Sequence, residues 1–437
     1  MNEQHEADAA VQANRPAPLP AFSAYGIELE YVVVDRDGLD CLPLADRILQ
    51  VDGQVLNDMP CGELAWSNEF FRHVIELKNP VPTADLDSLH RQLRGAVRQM
   101  NQSLHQWNAR LMPGAMHPWM DPTCEAKAWQ HGDTSIYDAY QRIFHCNTHG
   151  WANLQSMHIN LPFANDEEFA CLHEAVRLVL PLIPALAASS PIADGKDSGY
   201  ADFRLQVYRD NADAYPTITG GVIPESVTSE LAYRNEIFQP MYREIAGADP
   251  DGILQHEWLN SRGGIPRFDR NAIEIRLTDT QECPQADIAV ATAIIQAVKR
   301  LYSALRKARD DGQPVATIPA VELDAVLKNC TRLGKRARIE HSGYLRALGL
   351  TSNPVNAAKV WQELLAACGE DLPMTDPAWR DIVDFILERG TLSQRLLRAV
   401  RGDYSRDNLR KVYRELCDCL DEGRLFTGSR RSLLMAA

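Results

Sequence analysis

The sequence lacks the short motifs by which many nucleotide-using and hydrolytic enzymes declare themselves. It has no GxxxxGK[ST] phosphate loop, no GxGxxG fingerprint, no HExxH and no GxSxG. A P-loop, a dinucleotide-binding crossover, a zincin site and a serine-hydrolase elbow are therefore excluded as the basis of its activity. Also missing is an unbroken apolar run of the roughly 20 residues that a bilayer span requires. The most apolar stretch, 178–188, is interrupted by Pro181 and Pro184, so no membrane segment is expected. The first 20 residues have no apolar h-region and carry Glu3, Glu6 and Asp8. They read as a disordered tail ending in Pro16, Pro18 and Pro20, not as a signal peptide. Basic residues are scarce: 45 Lys+Arg against 59 Asp+Glu give a formal charge of −14. Affinity for nucleic acid comes mainly from Lys and Arg, so no nucleic-acid partner is expected. An anionic small molecule stays possible, because a bound metal inverts the sign of a local site. The ten cysteines include no CxxC pair. A chain of 437 residues buries a core without disulfides, so reduced thiols and a cytoplasmic location are expected.

What is present is an ordinary globular composition, 45% hydrophobic and 24% charged, with no internal repeat. Two regimes follow one another. Up to about residue 280, short alternating segments mix with helices, and beyond that the pattern is almost wholly helical. In 83–111, Leu86, Leu89, Leu93, Val97, Met100, Leu104, Trp107 and Leu111 recur at steps of three and four. That spacing predicts one amphipathic helix, with Thr83 as its N-cap. Helices are also predicted over 166–187, 284–309, 355–367, 377–388 and 406–422, with core packing as the role of their stripes.

The alternating segments carry the functional signal, because residues i and i+2 of a strand share a face. In 25–35, Glu28 and Glu30 lie opposite Ile27, Leu29 and Tyr31. In 155–161, Ser156, His158 and Asn160 lie opposite Met157, Ile159 and Leu161. In 272–279, Glu274 and Arg276 lie opposite Ile273, Ile275 and Leu277. The segment 71–77 adds Glu76, and 202–208, strand or helix, adds Arg204, Gln206 and Tyr208. A merely solvated face would mix in Lys, Thr and Ser. Glutamates side by side repel, and cations between them relieve the repulsion. Glutamates with one histidine and amides suit Mg²⁺ or Mn²⁺ better than structural Zn²⁺, and Mg²⁺ typically bridges carboxylates to substrate phosphates. The pattern predicts an α+β fold. A curved antiparallel sheet would hold divalent metal and a phosphorylated ligand on its concave face, with helices on its convex face. A weaker alternative is a zinc site built from His145 and His149 with His131 or Cys146. Cys417 and Cys419, two apart on a helical pattern, read as packing residues.

Five blocks, taken in order, resemble a known family. Gly26-Ile27-Glu28-Leu29-Glu30 resembles the GxExE opening of the glutamate–cysteine ligases and their relatives, the carboxylate–amine ligases. Glu69 and Glu76 resemble the second acidic block, and Gln155-Ser156-Met157-His158-Ile159-Asn160 the histidine strand. Ser189-Ser190-Pro191, Gly195, Asp197, Ser198-Gly199-Tyr200 and Arg204 resemble the mid-chain block. Ala272-Ile273-Glu274-Ile275-Arg276 with Asp279 resembles the EIR..D strand. The resemblance covers about residues 22–300. Glu69 and Glu76 differ in strand parity, so a bulge or turn must separate them if both are to face one site.

The resemblance implies a glutamine-synthetase-like catalytic domain over 21–310, a sheet of about six strands forming a funnel, and a helical region over 311–437 packed on it. It implies ATP, with Mg²⁺ or Mn²⁺ held by Glu28, Glu30, Glu69, Glu76, His158 and Glu274. Arg276 would act on the transferring phosphoryl group, and Arg204 and Asn160 would bind the substrate. The expected reaction joins the side-chain carboxylate of glutamate to an amine, cysteine by default, through an acyl phosphate. The alternatives are a metal-dependent hydrolase and a non-catalytic metabolite-binding relative. The expected partners are small molecules, and a homodimer is possible.

Overall fold

The computed structural model describes residues 17–313, 317–351, 353–368 and 377–428. Most of the predicted tail, residues 1–16, lies outside them. The centre of the molecule is β1 (Gly26–Asp35), which alternates small or apolar residues with glutamates and then runs through Val32-Val33-Val34. An eight-stranded, open antiparallel sheet is built on it. The other strands are β2 (Asp58–Cys61), β3 (Leu64–Asn68), β4 (Val74–Lys78), β5 (Ala109–Met112), β6 (Ser156–Pro162), β7 (Gly264–Arg267) and β8 (Ala272–Asp279). Their spatial order is β7-β8-β6-β1-β4-β3-β2. On one side of β1, β6 pairs with its first half and β5 with its second half.

Eight strands exceed the expected six, and one of the additions shows why. The helix predicted over 83–111 is α1 (Leu86–Leu104), capped by Asp85, not Thr83; the Asp85 side chain accepts from the Ser88 N–H. A short 3₁₀ turn follows, Asn108 adopts the left-handed conformation, and the chain re-emerges as β5. A left-handed residue stops a helix whatever the apolar spacing beyond it. The segment 202–208 is helical, as α2 (Phe203–Arg209), with Asp202 as N-cap.

One face of the sheet is apolar throughout. Ile27, Leu29, Tyr31, Ile75, Leu77, Ile159 and Ile273 pack there against α1, α3 (Asp166–Val179) and α4 (Pro284–Asp310). By length and composition alone, 166–187 and 284–310 are apolar enough to cross a membrane, which corrects the expectation that no stretch is. Their most apolar windows are 100% and 67% buried in this core.

The opposite face is divided. Beside Glu28 and Glu30 it is open, whereas Val32, Val34, Val74 and Met112 are covered by a second cluster. That cluster comes from α5 (Leu392–Val400) and α6 (Arg406–Glu422) and includes Leu396, Leu409, Leu416, Cys417 and Cys419. Helices therefore lie on both faces, not on the convex face alone. Arg395, fully buried, pairs with fully buried Glu282 just beyond β8. The larger core cluster runs from Ile27 to Leu420, so the C-terminal helices share the core of the preceding residues.

Candidate active site

The register of four adjacent strands lays the charged residues in one row. Glu30 stands opposite Glu76 across β1 and β4, Glu28 opposite His158 across β1 and β6, and Asn160 opposite Glu274 across β6 and β8. The glycine of the opening motif has a local reason. Gly26 faces Asn160, and a Cβ on it would come within 3.1 Å of the Asn160 Cβ. With that space free, Asn160 Nδ2 donates to Glu28 Oε1 (3.1 Å). Glu69 sits just past the end of β3, and the turn at 69–73 supplies the break that its parity with Glu76 demands.

His158 is the hub of the row. Its Nδ1 lies 3.0 Å from Glu28 Oε2 and 3.7 Å from Glu274 Oε1. Its Nε2 lies 3.0 Å from Ser156 Oγ and 3.9 Å from Glu30 Oε1. The Ser156 N–H donates to Glu30 Oε2 (2.7 Å), and Ser67 Oγ donates to Glu76 Oε1 (2.8 Å). A cavity of about 400 Å³ opens over the row. Glu28, Glu30, Glu69, Glu76, His158, Glu274, Arg204 and Arg276 all line it. Asn160 does not; its amide holds Glu28 from the neighbouring strand.

The protonation pattern shows how much negative charge is crowded here. Burial, and then the Glu28 charge, push Glu76 up to about 7. Burial and the charges of Glu76 and Glu30 push Glu69 well above the carboxylate range. Burial opposes the charged form of Glu28 too, but the hydrogen bond and charge of His158 outweigh it and hold Glu28 near 2. His158 is carried up to about 9: burial disfavours its cation, and Glu28, Glu274 and Glu30 overcome that. Carboxyls forced toward neutrality beside charged ones mark a place where a cation is favoured. Among the described residues, the groups of three or more side chains whose ligand atoms lie within 4.8 Å of one another are Glu28–His158–Glu274 and Glu30–Glu76–His158. The alternative zinc residues do not converge. His149 pairs with Asp194, His131 approaches Asp46, and the Cys146 thiol donates to the Tyr140 carbonyl.

Positive charge frames the row. Arg276 Nε donates to Glu274 Oε1 at 2.6 Å. Arg204 is 2% exposed. Its Nε donates to Asp279 Oδ1 (2.5 Å), and its two Nη groups point to the Arg276 carbonyl at 3.3–3.4 Å. Arg204, expected to bind the substrate, lines the cavity and is also engaged with the strand that carries Arg276. The reason is a bulge. The pairing of β8 with β6 slips by one residue between Ile275 and Thr278, which sets Asp279 opposite Ser156. A one-residue slip exchanges the faces of a strand. The bulge thus takes Asp279 off the aliphatic face and brings it to Arg204, Ser189 and Ser190.

Several lining residues had not been singled out. Lys78 bonds Glu76 (3.1 Å) and Asp58 (3.0 Å). Arg267, from β7, reaches Glu274 Oε2 at 3.3 Å. Phe70, Tyr137, Tyr140, Trp151 and Trp258 form an aromatic wall, with the Tyr140 ring centred 5.2 Å from Trp151 and 5.9 Å from Trp258. The parity of Lys78 with Glu76 was visible in the sequence. The wall gathers residues from a loop and three separate short helical segments and had no local signal.

Comparisons with known proteins agree with this geometry. The family model "Glutamate-cysteine ligase family 2 (GCS2)" matches residues 24–415. A protein of Archaeoglobus fulgidus without an assigned activity is 30% identical over 402 residues, 92% of this chain and 99% of that one. A putative glutamate–cysteine ligase of a Nocardioides species is 30% identical over 360 residues, 80% of this chain and 86% of its own. Among solved structures, the glutamate–cysteine ligase of Francisella tularensis in complex with AMP superposes with a TM-score of 0.62 at 12% identity, covering 93% of this chain and 89% of that one. A charged row fit for metal, on a matching fold and within a family match spanning most of the chain, leads to one conclusion: the chain belongs to glutamate–cysteine ligase family 2 and is an ATP-dependent carboxylate–amine ligase.

Proposed function

We propose that this ligase activates the side-chain carboxylate of glutamate with ATP and passes the acyl group to an amine, cysteine in the first instance. A carboxylate is a poor electrophile because an attacking amine would have to expel oxide. Transfer of the γ-phosphoryl group gives an acyl phosphate, and amine attack then releases phosphate and forms the amide. The observation that carries the reading is the row Glu76–Glu30–Glu28–His158–Glu274 with Arg276 at its end.

The residues fit Mg²⁺ or Mn²⁺. Once its proton is lost, the His158 imidazole offers one lone pair, and its Nδ1 faces Glu28 and Glu274, so these three would hold one ion. Glu30, Glu69 and Glu76 would hold another. When bound, such ions neutralise the polyphosphate and hold the transferring group in line. The side chains do the rest. Lys78 and Ser67 fix the Glu76 carboxylate, and Asn160 fixes Glu28. The Arg276 guanidinium matches phosphoryl oxygens in pairs. Arg204 acts through Arg276, holding the carbonyl of the bulge while Asp279 neutralises it. The aromatic wall suits a small soft side chain, because sulfur packs favourably about 5 Å from ring edges. The ten free thiols of the chain suit a reducing compartment.

The test is phosphate release from ATP and Mg²⁺ with glutamate and a panel of amines. The reading requires release that depends on both glutamate and an amine. Release with water alone would make the protein a hydrolase and refute it.

A further inference from the structure

Behind the start of β1, on the helix-covered face, lies a second cavity of about 390 Å³. That is within the range of roughly 300–1,000 Å³ typical of small-molecule sites. Its floor is one side of α4, where Thr292 and Gln296 are each 6% exposed. Among the described residues, neither Thr292 Oγ1 nor Gln296 Nε2 has a hydrogen-bond partner. Buried polar atoms without partners are rare, and these two residues line the cavity on successive turns of α4. One turn further along α4, Lys299 makes no ion pair among the described residues; its ammonium lies 5.9 Å from the Phe22 ring centre. The other wall is the start of α1. There Asp85 caps the helix and Asp87 accepts from Trp379 Nε1 (2.7 Å), each through one oxygen. Tyr25 and Trp379 supply aromatic surface between the two walls.

These groups select a ligand class. Two carboxylates against one ammonium disfavour a phosphate or nucleotide. A purely apolar molecule would leave Thr292 and Gln296 unpaired. A free α-amino acid answers every feature, its ammonium toward Asp85 and Asp87, its carboxylate toward Lys299, and its side chain over the hydroxyl and amide of α4.

We propose that this cavity is a second, non-catalytic site for a zwitterionic amino acid, and that its occupancy is felt at the active site through Tyr25. Tyr25 lies three residues before Glu28. Its backbone is tied to Thr83 by two hydrogen bonds, 2.8 and 3.0 Å, and its carbonyl accepts from Asn79. Asn79 also accepts from the Ile27 N–H (2.7 Å) and follows Lys78, the partner of Glu76. A ligand that moves Tyr25 therefore moves the corner where β1 and β4 present their carboxylates. The regulatory half of the proposal rests on the ligase reading, and the binding half does not.

The test is calorimetric titration of the full chain with each free proteinogenic L-amino acid in turn. Four proteins are compared: the parent, Lys299→Met, Gln296→Leu and Glu28→Gln. At least one amino acid should bind the parent and Glu28→Gln alike, and bind at least tenfold more weakly to Lys299→Met and Gln296→Leu. The same amino acid should change ligase rate in the parent and not in Lys299→Met, whose rate without it should equal that of the parent. No binding by any amino acid overturns the site. Binding abolished by Glu28→Gln but untouched by Lys299→Met also overturns it, because the ligand then occupies the catalytic cavity. Binding that behaves as predicted without changing the rate overturns the coupling. Absence of ligase activity with binding intact would refute the ligase reading and leave the site standing.

Discussion

The two halves of β1 turn the same face to different surroundings. In the first half that face carries Glu28 and Glu30 and borders the open cavity. In the second it carries Val32 and Val34 under the C-terminal helices. Two histidines show the consequence. His158, in the charged half, is carried up to about 9 by the surrounding carboxylates, against the pull of burial. His117, whose Nε2 bonds the Leu39 carbonyl (2.8 Å) at the margin of the apolar cluster, is driven down to about 3 by burial. What packs on a strand face, more than the strand itself, decides whether it serves chemistry or cohesion.

The sharpest way to break this comparison is at Glu28. Glu28→Gln should abolish amine-dependent ADP formation and leave the circular dichroism spectrum unchanged, since an amide of equal size opens no cavity. Near-normal turnover at saturating Mg²⁺ would remove the carboxylate row from the mechanism. Next come the arginines. Arg276→Lys keeps the charge but loses the fork, and kcat should fall by about 10²–10³, the usual effect of losing one preorganised donor. Arg204→Lys should lower kcat by a smaller factor with the KM for glutamate unchanged. A raised KM with normal kcat would mean that Arg204 touches substrate after all.

On the apolar half, Leu416→Ala should cost about 2–5 kcal/mol of stability, as large-to-small changes at fully buried sites do, without altering the KM for glutamate. Urea denaturation and steady-state kinetics on one preparation would check both. The smallest effect concerns His117. Its imidazole is neutral in the fold, since Nε2 serves Leu39 and Nδ1 accepts from the Trp119 N–H (3.3 Å). The unfolded chain takes up a proton near 6.5 and the folded one only near 3. Stability is therefore full above about pH 6.5 and falls as pH drops toward 3, by at most about 1.4 kcal/mol per unit from this residue. His117→Gln should lessen the acid slope of denaturation free energy between pH 6.5 and 5, and an unchanged slope would show that His117 does not titrate as described.

Much of the charged half was legible in the sequence, because strand parity alone assigns Glu28, Glu30, His158 and Glu274 to one side. The family motifs added Glu69 and Arg204, whose positions depend on a turn and a helix. What was not legible depends on pairing between distant segments. The partnership of Arg204 with Asp279 needs the bulge in β8, and nothing in Ile275-Arg276-Leu277-Thr278 announces an extra residue. Arg267 meets Glu274 only through the register of the β7–β8 hairpin. The apolar half was misjudged for a similar reason. Val32-Val33-Val34 is apolar on both faces, but which helices return to cover it is a tertiary fact. The early end of α1 turned on the left-handed conformation of Asn108, which apolar periodicity does not register.

The central claim is that the charged row activates a carboxylate by phosphorylation, and one isotope measurement meets it directly. Glutamate labelled with ¹⁸O in its side-chain carboxyl is incubated with ATP, Mg²⁺, cysteine and the enzyme, and the released phosphate is analysed by mass spectrometry. If an acyl phosphate forms, one labelled oxygen must leave with the phosphate when the amine attacks. The account predicts singly labelled phosphate in proportion to the amide made, and none with Glu28→Gln. Amide formed with wholly unlabelled phosphate would contradict it.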